Sequence, residues 1–430
     1  MRLWELSISE QTKAIEGGAV PAEVLAEQTR AEIQRREPEL KAWVQWSSDL
    51  AAQSRKVNDV CAASPLRGIS LGVKDLIDVA GLPTRAGSPV TSSAPAGGDA
   101  ACVARLRALG VIVQGKTVTT EFGYFSPGPT RNPHAADHSP GGSSSGSAAA
   151  VGAHTIPLAL GTQTAGSLTR PASYCGAAGM VLAHGTTSMA GIVGLSPSLD
   201  SLGLLTRTVE DLRLVYRAFT GHGPTAGRPA GVFVWHGSGL DDVAAPMRYV
   251  LQQLPSLVEN LGIEHQPLKW DDQIQSLTSD HLTVMAHEAA HTLAAELHDH
   301  GKALSAPLRQ LLDDGIHISA DDHQAALVRR DQSGEQLAAL LGTNSVVIGP
   351  AALGPAPMGL AATGSPILSR PWQLLGLPVV VVPGARTARG LPLGVQVIGL
   401  PGQEQQMLDF AVELETLLRS LQPAPQGSQP

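Results

Sequence analysis

The chain has 430 residues, 43% of them hydrophobic, with 30 Lys and Arg against 38 Asp and Glu for a formal net charge of −8. A chain of this length buries a large core, and an acidic balance with no concentrated basic run argues against direct nucleic-acid binding. No purely apolar run reaches the ~20 residues that cross a bilayer. The opening MRLWELSISEQ lacks a secretory pattern, and Cys61, Cys102 and Cys175 are widely spaced, so a soluble, cytoplasmic protein with free thiols and no membrane partner is expected.

Residues 8–36 read as helical, with Ser7 or Ser9 as cap and Val20, Val24, Leu25 and Ile33 at near-helical spacing; 39–55 read as a second helix. Ile69 to Val73 reads as a buried strand running into Lys74, a cation that is costly among apolar neighbours unless paired or deprotonated. Asp99 is placed to cap a helix through Ala108, Gly110 ends it, and Val111-Ile112-Val113 begins a strand. This alternation points to an α/β fold.

From His138 to Leu199 the only full charge is Arg170. The block is rich in Gly, Ser, Ala and Thr, and a buried segment with so many hydroxyls must satisfy them structurally or use them chemically. Within it, 144–153 reads as a helix, 156–160 as a strand and 164–167 as a tight turn. Thr206 or Thr208 caps a helix running to about Ala218.

Residues 221–342 read as a variable helical insertion over the core and the source of substrate selectivity, with helices near 242–262, 281–300, 304–315 and 320–341. Buried strands at 345–348, 379–382 and 393–398 follow, then an amphipathic helix over 403–421. The Pro/Gln/Ser/Gly-rich stretch 421–430 reads as a disordered tail.

Several separated motifs stand in a consistent order: Gly72-Val73-Lys74-Asp75, Gly141-Gly142-Ser143-Ser144-Ser145-Gly146, Gly161-Thr162-Gln163-Thr164-Ala165-Gly166-Ser167, Arg170-Pro171-Ala172-Ser173 and Gly390-Leu391-Pro392-Leu393-Gly394. Together they resemble the amidase signature family over about 60–215 and 345–415. The resemblance implies one α/β domain spanning 1–420, a mixed central sheet sandwiched by helices. It implies a Ser–Ser–Lys triad of Lys74, Ser143 (after a cis peptide bond) and the nucleophile Ser167, with the amides of Thr164, Ala165, Gly166 and Ser167 as an oxyanion hole. Three departures stand out. Gln163 replaces a common Asp, Ala165 replaces a common Gly, and Arg170 lies one residue farther from the nucleophile than in many members. Asp200, the next full charge, is the suggested partner of Arg170.

The chemistry follows from the residue types. A serine hydroxyl attacks a carbonyl only when a base takes its proton. Lysine serves as that base only when burial lowers its pKa from ~10.4 enough to populate the amine. The reading is hydrolysis of a small-molecule amide without cofactor or metal, with a homodimer allowed for. Tyr124, Phe125 and Tyr174, and more weakly Ile192 and Val193, are the candidate pocket residues. Two alternatives keep the fold: an A subunit of the transamidosome type, and a non-catalytic scaffold. A third is a zinc hydrolase on His287-Glu288-Ala289-Ala290-His291, an HExxH pattern with Glu296 or His298 as a third ligand. Cys175 reads as a packed thiol.

Overall fold

Chain patterning builds eleven strands in a computed structural model that describes residues 2–60, 64–223 and 227–425. In chain order they are β1 (Trp43–Trp46), β2 (Ser70–Lys74), β3 (Ile112–Thr117), β4 (Leu158–Gln163), β5 (Ala178–Val181), β6 (Ser201–Thr206), β7 (Gly231–Val234), β8 (Glu264–Pro267), β9 (Ser345–Pro350), β10 (Val379–Arg386) and β11 (Pro392–Ile398). All lie in one sheet of order β1-β3-β2-β4-β6-β5-β10-β11-β9-β7-β8. The pairs β2–β3, β2–β4, β7–β8 and β7–β9 are parallel and the rest antiparallel, so the sheet is mixed, as expected.

The strands between the two edges are buried on both faces, and their alternation divides the core in two. Leu158, Leu160, Leu202, Leu204, Val380 and Val382 pack with helices Val209–Thr220, Ala245–Asn260 and Glu404–Ser420. Their neighbours Ala159, Leu205, Val379 and Val381 face the other way, against helices Ser145–Gly152, Thr169–Cys175 and Asp271–Thr292. Lys74 alternates with Val73 and so points to this second side. There Gly146 lets the Ser145–Gly152 helix touch the backbone just before β1 and just after β3, since a Cβ would collide with the Ala42 carbonyl and the Val118 amide.

Several expectations change. The helix expected over 39–55 is interrupted: Lys41 turns left-handed at φ 51°, and Trp43-Val44-Gln45-Trp46 becomes β1 before a helix at Leu50–Val60. Asp99 does not cap. Ala100 precedes the helix, while Asp99 accepts the Ala80 amide and pairs with Arg107. The 221–342 segment contributes β7 and β8 to the main sheet besides its helices. Residues 421–425 are not a free tail: Ala424 is buried and its amide donates to the Arg386 carbonyl. The remainder, 426–430, lies outside the described residues, as does Cys61; Cys102 and Cys175 are free and buried. No described helix is long and apolar enough to cross a membrane.

Gly146→Ala should lower stability by about 1–3 kcal/mol, because the new methyl meets backbone rather than a flexible side chain. Gly97→Ala, whose Cβ would meet nothing within 4 Å, should be nearly silent. Denaturant titrations of the two variants beside the parent check this.

Candidate active site

Lys74 ends β2 with no exposed surface. Its Nζ lies 2.6 Å from Ser143 Oγ, 2.7 Å from Thr162 Oγ1 and 3.3 Å from the Thr162 carbonyl. Burial pushes its pKa down to about 7, against the weaker opposing pull of Asp200. The carboxylate next in sequence, Asp75, is turned away to pair with the equally buried Lys116 at 2.9 Å. That pairing leaves hydroxyl and carbonyl oxygens as the neighbours of Lys74.

Ser143 precedes the Ser145–Gly152 helix, and the Gly142–Ser143 peptide bond is cis. Gly141, at φ +80°, makes the turn, and Gly142 passes where a Cβ would press on Thr363 and Thr120. Ser167 closes the turn after β4, and its carbonyl accepts the Ser144 amide at 3.0 Å. Ser143 and Ser167 are 3% and 7% exposed and line one pocket. Among the described residues no hydrogen bond joins their two hydroxyls, while the amides of Thr164, Ala165, Gly166 and Ser167 donate to no protein oxygen.

Gln163, the departure from the common Asp, holds that turn. Its Oε1 accepts the amides of Leu168 and Thr169 at 2.9 and 3.0 Å, and its Nε2 donates to Gln373 Oε1. Thr164 is fixed by its hydroxyl, which donates to Asp200 Oδ1 at 2.5 Å. Asp200 also accepts the amides of Leu195 and Ser196, and burial raises its pKa despite these bonds.

Arg170 therefore does not pair with Asp200. Its Nη2 donates to the Gly142 carbonyl at 2.6 Å and to Thr363 Oγ1 at 3.2 Å, and its guanidinium lies 5.9 Å from the Phe125 ring centroid. Among the described residues Nε and Nη1 are buried without an acceptor, and burial lowers the pKa to about 10. Nearness in sequence misled here, because Thr164 and two loop amides already occupy Asp200.

Tyr124 and Phe125 line the pocket, their rings edge to face at 4.7 Å. Tyr174 does not; it is buried facing Gly364, Ala352 and Ala356 on a separate cleft. Ile192 bridges to Ile77, and the Val193 amide donates to the Leu76 carbonyl, so both brace the core beside the site. Sequence reasoning missed Thr162, which sits inside the Gly161–Ser167 motif, and Leu195, Met285, Thr363 and Pro366, which carry no motif signal.

The HExxH side chains are engaged elsewhere. His287 Nδ1 donates to the Ile318 carbonyl, and His291 Nδ1 donates to the His287 carbonyl. Glu288 accepts the Ser196 hydroxyl, the Ser198 amide and His323 Nε2. Among the described residues no group of three His, Cys, Asp or Glu side chains could hold a metal ion.

A mixed α/β sheet thus brings Lys74 to Ser143, which lines one pocket with Ser167. The Amidase family model matches residues 25–408, and the chain belongs to that family of hydrolases acting on carbon–nitrogen bonds. It is 29% identical to the A subunit of glutamyl-tRNA(Gln) amidotransferase from Anaeromyxobacter sp., over 100% of this chain and 99% of the other. It is 32% identical to AmiA2 of Mycobacterium tuberculosis, by its name an unproven amidase, over 93% and 90%. A solved amidase structure superposes with TM-score 0.86 at 26% identity, covering 96% of this chain and 100% of that one.

The unfolded chain holds the Lys74 proton up to 10.5 and the folded protein releases it near 7. Between these values the unfolded state binds the extra proton, so this group makes stability rise with pH across that window. Lys74→Met should remove that part of the slope and gain most at or below pH 7. Denaturant midpoints at pH 7 and 10 for both proteins measure it.

Proposed function

We propose that the chain hydrolyses the amide bond of a small molecule through an acyl-enzyme on Ser167, with Ser143 as bridge and Lys74 as base. The observation that carries this reading is the Lys74 amine, shut from water 2.6 Å from Ser143 Oγ and poised near neutrality. A neutral amine has two N–H donors and one lone pair. Its three contacts fit donation to the two Thr162 oxygens and acceptance from the Ser143 hydroxyl. The remaining link, Ser143 to Ser167, is made by rotating a hydroxyl-bearing side chain when substrate enters.

In the proposed reaction Ser167 Oγ bonds to the amide carbon as its proton passes to Ser143 and the Ser143 proton to Lys74. The unengaged amides of 164–167 receive the developing oxyanion. The carbon–nitrogen bond then breaks, and the amine leaves with the proton returned through Ser143. Water attacks the ester as one of its protons passes through Ser143 to Lys74, the bond to Ser167 breaks as that proton returns to Ser167 Oγ, and a carboxylic acid is released.

The favoured substrate is an amide whose acyl part carries a carboxylate. Arg170 lines the same pocket as Ser167, is buried, and has two nitrogens without an acceptor. An unneutralised buried cation is costly, and a carboxylate would offset it. Tyr124 and Phe125 would form the apolar wall. A second reading, one component of an assembly that works with partner chains, is favoured by the full-length match to an amidotransferase A subunit.

Ser167→Ala and Lys74→Ala should abolish turnover by the chain purified alone, and Ser143→Ala should lower it severely. The wild-type rate should climb with pH through about 7, as Lys74 loses its proton. Arg170→Gln should cut kcat/KM for the monoamide of a dicarboxylic acid by ~10–150-fold while sparing its methyl ester, the expected worth of a hydrogen bond to a charged group. Equal effects on acid and ester would remove the carboxylate assignment, and activity restored only by added partner chains would favour the second reading.

A further inference from the structure

The turn that carries Ser167 is held on its far side by a residue from the 221–342 segment. His281, on helix Asp271–Thr292, has no exposed surface, and its Nε2 lies 2.9 Å from the Thr164 carbonyl oxygen. A carbonyl only accepts, so Nε2 carries the hydrogen and Nδ1 the lone pair. Nδ1 is buried with no donor facing it. Burial also pushes the His281 pKa down to about 3, with the nearby charge of Arg370 acting the same way. The ring is therefore a neutral donor throughout the working range.

A trans peptide is planar, with its C=O and N–H pointing in opposite directions. Holding the Thr164 carbonyl toward the helix therefore aims the Ala165 N–H away from it. Thr164, Ala165, Gly166 and Ser167 line the pocket there, and the Ala165 amide donates to no protein oxygen among the described residues. The Thr164 side chain is anchored separately by Asp200. Glu288, on the same helix, grips Ser196 and Ser198 in the loop that leads to Asp200. One helix thus holds the Thr164 carbonyl directly and, separately, the loop before Asp200.

We propose that His281 is a positioning residue for acyl transfer: its Nε2–H fixes the Thr164–Ala165 peptide so that the Ala165 amide is aimed at the oxyanion. The inference rests on Ser167 being the nucleophile. It assigns to the 221–342 segment a part in the rate of the chemical step, beyond any part in selecting substrate.

The test uses the full chain, with phenylmethanesulfonyl fluoride as acylation probe (kinact and KI) and the fastest amide of a panel for kcat and KM. His281→Leu should lower kinact and kcat by roughly 100-fold, the usual effect of a lost or misplaced oxyanion donor. KI and KM should stay within about threefold, because the donor matters most when negative charge develops. His281→Gln, whose amide N–H can reach the same carbonyl, should recover at least about tenfold of that loss. Thermal unfolding of each variant is recorded in parallel. Unchanged rates in a folded His281→Leu protein, a loss confined to KM, or His281→Gln no faster than His281→Leu would each overturn the assignment. If His281→Leu does not fold, His281→Asn replaces it; its shorter side chain falls short of the carbonyl, and equal rates for Gln and Asn would be equally fatal. Ser167→Ala separates the two levels: full reactivity of that variant defeats the nucleophile itself, whereas an inert Ser167→Ala beside a normal His281→Leu defeats only the positioning role.

Discussion

An amine kept from water beside hydroxyls, with no carboxylate in contact, is the constraint on which the site depends. Lys74 stays near neutrality because β2 is covered on both faces and because Asp75 is committed to Lys116. A carboxylate in direct contact would favour the ammonium and hold the proton on it. Asp200 does act on Lys74 through space, but its hydrogen bonds go to Thr164 and to the amides of Leu195 and Ser196. The fold thus assigns each nearby negative charge a partner other than the lysine.

The same economy of contacts shapes the Ser167 turn. Gln163 gathers the amides that start the Thr169–Cys175 helix, Asp200 takes the Thr164 hydroxyl and His281 faces the Thr164 carbonyl. With these groups satisfied, the backbone N–H groups of 164–167 donate to no protein oxygen among the described residues, and all four residues line the pocket. In the proposed reaction they would act as preorganised donors, which need no rearrangement when charge appears. The unsatisfied nitrogens of Arg170 beside them give the pocket a second polar demand, of opposite sign to that of a base.

What was legible in the chain was whatever is written in consecutive residues. Lys74, Ser143, Ser167 and the turn between Thr164 and Ser167 sit in contiguous motifs, and the strands that hold them are short apolar runs. What was not legible depends on which distant segments meet. The partners of Arg170 are a carbonyl 28 residues before it and a threonine hydroxyl 193 residues after it, so the next charge along the chain was a poor guide. Tyr174 and Ile192 lie beside motif residues in sequence but face other surfaces. His281 looks like any histidine on a polar helix until the helix is laid against the turn. β1 escaped notice because four residues after a long helix carry too little periodicity to oppose its continuation.

The last strand of the sheet has a consequence for the molecule in a crowded solution. β8 is Glu264-His265-Gln266-Pro267, short, polar and ended by a residue without an N–H, and it covers the otherwise open rim of β7. Unpaired rims of long apolar strands are templates on which other chains can add. The 221–342 segment thus ends the sheet beyond Gly231-Val232-Phe233-Val234 with a border on which another chain's strand would find little to pair with.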